Sequence, residues 1–251
     1  MAIKKTILIT GASSGIGAEL AKGYASTGVT LLLTGRNAER TEAVAAACRD
    51  KGADVETCTT CVTEKDAFAA QVATWDDAHP IDLVIANAGI SGGLDKEDDS
   101  LFRTIMAINL DGTLNTVFPL IPRMKKRKSG HIVLMSSMAG FRGMPNAPAY
   151  SVSKNAVRAL GEALRPLLAK EGVNVSTICP GFIRTPLTDV NTFKMPFLMD
   201  VVDAADIIIS GIEKNKAVIA FPFRMRMLVM FLAALPRCLG DWILSKAPNK
   251  P

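Results

Sequence analysis

Thr10-Gly11-Ala12-Ser13-Ser14-Gly15-Ile16-Gly17 is the stretch that decides the fold. Residues 6–10 before it are apolar or β-branched, and 15–27 after it have helical period, so its glycines stand at a strand-to-helix turn near the start of the chain. Glycine at such a turn lets backbone N–H groups close on a pyrophosphate, while the positive end of the following helix faces the charge. A tight turn by itself would also use glycine. The strand before and the helix after are what make this the opening of a dinucleotide-binding sheet.

Outward from that turn, short runs rich in Ile, Leu and Val alternate with longer stretches of helical period. Strands are predicted at 6–10, 30–34, 54–59, 81–87, 131–136, 173–179 and 217–221, and helices at 15–27, 38–51, 64–77, 101–128 (broken), 149–170 and 203–214. This alternation is the sequence form of a doubly wound, Rossmann-like α/β fold: a seven-stranded parallel sheet with helices on both faces. No repeat or linker interrupts it, so residues 1–251 are taken as one domain that binds the dinucleotide and carries the catalytic residues. Two stretches break the alternation, 185–200 and the tail from Arg224, and both follow late strands, where a substrate pocket is expected. Pro166 should kink or shorten the far end of the 149–170 helix.

The chain has 251 residues, 49% of them apolar and 21% charged, which provides a substantial core and excludes disorder of the weakly hydrophobic kind. Five cysteines are an odd number in a chain too large to need disulfide staples, and no signal peptide precedes the first strand, so a reducing cytoplasm is expected. The apolar run 227–235 is nine residues long and ends at Pro236, against the roughly 18 needed to cross a bilayer. The net charge is +5. Its densest cluster, Arg123 to Lys128, has no aromatic residue to stack a base, so nucleic acid is not an expected partner. It reads as a solvated helix end, where cations suit the dipole.

The glycine spacing is G-x-x-x-G-x-G, preceded by Thr10, and here the chain resembles the classical short-chain dehydrogenase/reductase family. The turn residues Gly11, Ser13, Ser14, Gly15, Ile16 and Gly17 become candidate cofactor contacts. The second strand ends Leu33-Thr34-Gly35-Arg36. Gly35 stands where a carboxylate would take the ribose 2′-OH of NAD, and the Arg36 guanidinium can pair with a 2′-phosphate, with Ser13 adding a hydroxyl. NADP(H) is therefore favoured over NAD(H). The resemblance implies an Asp-Val pair after the third strand for the adenine, but the chain has Cys61-Val62 and loses the acid. Cys58-Thr59-Thr60-Cys61 has the spacing of a redox or metal pair but lacks a second Cys/His pair, and no metal is expected. Asn87-Ala88-Gly89 resembles the family turn beside the cofactor ribose, where Asn87 can bridge strand backbones.

Tyr150 and Lys154 stand at i and i+4 in a helix-forming stretch, one turn apart on one face. A phenol titrates near 10, and a neighbouring ammonium favours its ionised form, so this pair reads as a tuned proton donor and acceptor. Ser137 ends an apolar strand and points at the crevice beyond the sheet. By resemblance Ser137 polarises the substrate carbonyl, Asn109 links Lys154 to a water chain from a break in its helix, and Pro180, Gly181, Ile183 and Thr185 contact the nicotinamide; Ser136 reads as structural. The implied reaction is hydride transfer between nicotinamide C4 and a carbonyl or carbinol carbon, with Tyr150 as acid and base and Lys154 also holding the ribose. The other class that fits is a catalytically silent NADP(H)-binding sensor or interaction protein, whose sign would be loss of the Tyr or the Lys. The expected partner is a small carbonyl or alcohol, apolar ones included, and the resemblance implies a homodimer or homotetramer through the long fourth and fifth helices.

The tail 222–251 is apolar and basic, with Arg224, Arg226 and Arg237 around Met225, Met227 and Met230. Packing against the domain or a second subunit is the simpler reading; a lid for an apolar substrate at a peripheral membrane contact is the other.

Overall fold

The computed structural model describes residues 5–92, 99–191 and 194–245. Residues 192–193 of the irregular stretch and 246–251 of the tail lie outside them, as does the Arg237 side chain. Seven strands form one parallel sheet: β1 (Lys5–Thr10), β2 (Val29–Thr34), β3 (Asp54–Cys58), β4 (Leu83–Ala86), β5 (Gly130–Met135), β6 (Val173–Pro180) and β7 (Val218–Phe221). Their order is β3-β2-β1-β4-β5-β6-β7. The chain thus builds outward from β1 to β3, returns, and builds the other way from β4. Neighbouring crossovers leave β1 and β4 on opposite sides, and a crevice opens beyond their carboxyl ends.

Helices α1 (Gly15–Tyr24), α2 (Ala38–Arg49) and α9 (Val201–Glu213) cover one face; α3 (Lys65–Ala78), α5 (Gly112–Val117), α6 (Ile121–Arg127) and α7 (Pro148–Ala169) cover the other. The pleat sends Ile7 and Ile9 of β1 into the first layer and Leu8 into the second, all fully buried. Between α4 (Asp99–Met106) and α5 the long fourth helical stretch is broken by a π-helical turn, Ala107–Asp111. Helix α7 runs past Pro166 to Ala169, so the expected shortening does not occur. The tail is more regular than its sequence pattern: α10 (Phe223–Ala234) and α11 (Arg237–Leu244) follow β7, and the stretch after β6 holds the short α8 (Pro186–Asp189).

The basic end of α6 is not simply solvated, which corrects the reading of 123–128. Asp76 of α3 is buried, accepts from the Ile81 N–H at 2.8 Å and pairs with Arg127 at 2.9 Å and Arg123 at 3.3 Å. Arg123 also reaches Asp77, and Arg127 donates to the Ile81 carbonyl at 2.6 Å. The two guanidiniums pin α6 to the turn that launches β4. Composition along one helix could not show this, because the acids lie some 50 residues earlier on α3. Asp76→Ala leaves Ile81 N–H without its acceptor and two half-buried cations without their partner, and is expected to cost about 2–4 kcal/mol, read by urea denaturation. A loss below about 0.5 kcal/mol would reduce the cluster to a surface feature.

Candidate active site

The glycine turn is shaped by its own backbone. Gly11 and Gly15 have φ of 67° and 56°, a region that disfavours side chains. A Cβ on Gly11 would lie 2.8 Å from Ala88 Cα, and one on Gly17 would collide with Gly11 O. The turn is therefore pressed against the end of β4. Thr10 Oγ1 accepts from the N–H groups of Asn87 and Ala88 at 3.0 and 3.1 Å, and Asn87 Nδ2 donates to the carbonyls of Thr10 and Gly11 at 2.9 and 3.2 Å. Ser14 opens α1 without a side-chain cap, so the first-turn N–H groups are left to another acceptor. Thr185, at the start of α8, approaches the turn from β6, 3.2 Å from where a Gly15 Cβ would be. This cradle fits the pyrophosphate of a dinucleotide.

At the end of β2, a side chain on Gly35 would collide with Thr41 Oγ1 and come within 2.9 Å of Ser13 Cβ. A carboxylate has no room there. Arg36 is exposed on the cleft wall with Arg40, one turn on, and neither guanidinium has an acidic partner among the described residues. Asn37 between them caps α2, its Oδ1 accepting from the Arg40 N–H at 2.7 Å. Val62 is buried and touches Gly112, and its carbonyl accepts from Asn115 Nδ2 at 2.9 Å. Cys61 Sγ lies 3.1 Å from Thr63 Oγ1 and presents no carboxylate to the cleft.

The chemical end is stitched to the end of β5. The Lys154 ammonium donates to the Met135 carbonyl at 2.9 Å, and Ser136 Oγ donates to the Lys154 carbonyl at 2.7 Å. Tyr150, one turn earlier on α7, faces the same cleft as Ser137 and carries the Lys154 ammonium 5.7 Å from its ring centroid. Ser137 itself starts a 3₁₀ turn, its Oγ accepting from the Ala139 N–H at 3.2 Å. In the π turn, Asn109 is fully buried; its Oδ1 accepts from the Ile90 N–H at 2.8 Å, and its Nδ2 donates to the Ile90 carbonyl and to Ser153 Oγ, both at 3.0 Å. Gly89 separates Asn109 from Lys154: a Cβ there would be 3.1 Å from Asn109 Oδ1 and 3.2 Å from Lys154 Nζ.

Every candidate site residue except Gly17 and Asn109 lines one cleft of about 660 Å³, a volume suited to a cofactor and a small substrate together. Its far end is mostly apolar and is closed by Met138, Met144, Leu187, Met225, Val229 and Leu232. The sequence marked Met225 only as part of an odd tail. Arg40 and Arg142, also on the wall, were not identified; the i, i+4 spacing from Arg36 was the signal for Arg40, and Arg142 had none. Among the described residues no group of three His, Cys, Asp or Glu could hold a metal ion.

The tuning of Tyr150 corrects the reading from spacing. In the chain alone, burial raises the phenol above its ordinary value, and the nearby Ser137 hydroxyl works against this. Burial also lowers Lys154 to about 8. The same desolvation that brings the groups together disfavours both charged forms, and for the phenol burial is the larger effect.

A family model described as short chain dehydrogenase matches residues 5–194. An uncharacterized oxidoreductase of Myxococcus xanthus is 37% identical over 240 residues, covering 94% of this chain and 95% of that protein. A 3beta-hydroxysteroid dehydrogenase of Mediterraneibacter gnavus is 38% identical over 194 residues, covering 74% of this chain and 68% of that protein. Among solved structures, a short-chain dehydrogenase from Sphingobium yanoikuyae in complex with NADPH superposes with a TM-score of 0.81 at 27% identity, covering 97% and 96% of the two chains.

The chain contains two tyrosines, and burial raises Tyr24 as well as Tyr150 above the model-compound value of 10.0. Ultraviolet titration of the cofactor-free protein should therefore show little tyrosinate at pH 10, with Tyr24→Phe isolating Tyr150. Tyrosinate forming at pH 8 in that variant would contradict this environment.

Proposed function

The chain belongs to the short-chain dehydrogenase family, and from that premise we propose that it is an NADP(H)-dependent oxidoreductase interconverting a carbonyl and a secondary alcohol, with Tyr150 as acid and base. The observation that carries this reading is that Tyr150, Ser137 and the buried Lys154 share one cleft with the uncapped N-terminus of α1. When bound, the nicotinamide supplies or takes up a hydride at its C4. The rest is done by the protein. The glycine turn and the first N–H groups of α1 hold the pyrophosphate, and Thr185, Ile183 and the backbone at Pro180 and Gly181 border the nicotinamide end. Asn87, Ala88 and Gly89 border the ribose, which Lys154 also approaches, and Val62 the adenine.

In the reductive direction, the substrate oxygen accepts from the Ser137 and Tyr150 hydroxyls. As negative charge develops on that oxygen, Tyr150 Oη gives it a proton. The Lys154 ammonium then stabilises the phenolate left behind, a contribution that weakens as the pH rises through about 8. Asn109 acts one layer deeper, holding Ile90 and Ser153 so that the floor under Lys154 keeps its shape. Two copies pair through the long fourth and fifth helical stretches, where Phe118, Val152 and Leu167 are exposed.

The preference for NADP(H) rests on the Arg36 and Arg40 pair and on the lack of space at Gly35 for an acid. The NADPH complex of the Sphingobium relative supports a nicotinamide dinucleotide in this cleft. The apolar substrate end and the steroid dehydrogenase relative support an apolar ketone or carbinol.

Tyr150→Phe is expected to lower kcat at least about a hundredfold while changing the Kd for NADPH less than about threefold, measured by fluorescence titration. Retention of wild-type kcat would refute the role of Tyr150. Arg36→Ala should lower kcat/KM with NADPH by about 10–100-fold and leave the value with NADH nearly unchanged. An unaltered NADPH preference would remove Arg36 from the 2′-phosphate site.

A further inference from the structure

Helix α10 has two opposite apolar faces, and only one of them is covered by protein. Met225, Val229 and Leu232 face inward and roof the substrate end of the cleft. On the opposite side, Phe223 is 70% exposed and Phe231 62%, with Met227 and Met230 between them; Leu239 and Trp242 of α11 are exposed as well. Packing against the domain thus accounts for the inner face and leaves the outer one uncovered. An exposed apolar face of this kind marks a surface that meets protein or lipid.

The charges around this stripe select between those partners. At about 100° per residue, Arg226 and Arg224 fall about 80° to either side of the centre of the outward stripe. Both are exposed and neither has an acidic partner among the described residues. The one acid in α10 and α11, Asp241, is held by Arg142 at 3.0 Å, and Arg142 also donates to the Leu232 carbonyl at 2.7 Å, tying both helices to the loop after Ser137. A second copy pairing symmetrically over the stripe would bring Arg224 and Arg226 against their own counterparts, with no free acid between them.

We propose that the outer face of α10 and α11 docks on an anionic membrane surface, with Phe223, Met227, Met230 and Phe231 in the acyl boundary and Arg224 and Arg226 at the lipid phosphates. Long arginine stems allow this division between apolar depth and charged surface. No helix among the described residues is long and apolar enough to cross a membrane, so the pair lies on the surface. The roof of the cleft then rests at the lipid boundary, and an apolar substrate can pass from bilayer to cleft beside α10.

Sedimentation of the full chain with phosphatidylcholine vesicles, with and without phosphatidylglycerol, tests this. The protein is expected to pellet with the anionic vesicles, to be released by high salt, and to show a blue shift of tryptophan emission. Of the two tryptophans, Trp75 is buried, so that shift belongs to Trp242. Phe223→Glu/Phe231→Glu should bind anionic vesicles at least about tenfold more weakly while turnover of a water-soluble ketone stays at the wild-type level. Arg224→Gln/Arg226→Gln keeps the apolar stripe and should abolish the preference for anionic over neutral vesicles. Wild-type protein remaining in the supernatant at low salt with both vesicle types would overturn the proposal, as would variants that pellet like wild type. Loss of a wild-type subunit contact in Phe223→Glu/Phe231→Glu, seen by size exclusion with light scattering, would assign the face to a second copy instead.

Discussion

A single buried cation sets the geometry on which the rest of the site depends. Lys154 is 4% exposed, and its ammonium donates to the Met135 carbonyl at the very end of β5. An unsatisfied charge there would be costly, so the bond fixes how far α7 slides along the sheet. Ser136 repeats the constraint from the other side by donating to the Lys154 carbonyl. Gly140 makes the close approach possible, since a Cβ there would lie 2.8 Å from the same carbonyl. Tyr150, one helical turn back, then has a single place to go, and Ser137, one residue beyond Ser136, is already there. The meeting of phenol and serine hydroxyl follows from the register of a helix on a strand.

The same burial has an electrostatic consequence. A desolvated ammonium holds its proton less tightly than a free one, and a desolvated phenol holds its own more tightly, so before the cofactor binds the cleft keeps a neutral Tyr150. On the proposed function, the N–H groups that open α1 would hold the phosphates of a dinucleotide, and a positively charged nicotinamide near Tyr150 would favour its ionised form.

The reach of the sequence differed from one part of the chain to another for identifiable reasons. The strands and the glycine turn were legible because a parallel sheet covered on both faces demands unbroken apolar runs, and because a dinucleotide needs glycine where backbone meets phosphate. Tyr150 and Lys154 were legible as a pair because helical spacing is local. The Asp76 clamp on Arg123 and Arg127 was not, since its partners come from α3 and α6. The direction of the Tyr150 shift was missed because spacing reports which charges are near and says nothing about how much water has been removed. The tail was legible in composition but not in form: α10 lacks the one-sided pattern that marks a surface helix, because its two faces have different surroundings and both favour apolar side chains.

The amino-acid sequence by itself determined the alternating α/β order, the glycine turn and the pairing of Tyr150 with Lys154 on one helix face, because each depends on neighbours within a turn of helix or a few residues of strand. Only the tertiary structure decided that Ser137, Tyr150 and Lys154 share one cleft with Asn109 buried behind Gly89, that Gly35 has no room for an acid, and that α10 roofs the cleft with one face while showing the other to its surroundings. Those outcomes depend on which segments meet across the sheet and on what water is excluded when they do, and no local pattern of residues encodes that exclusion.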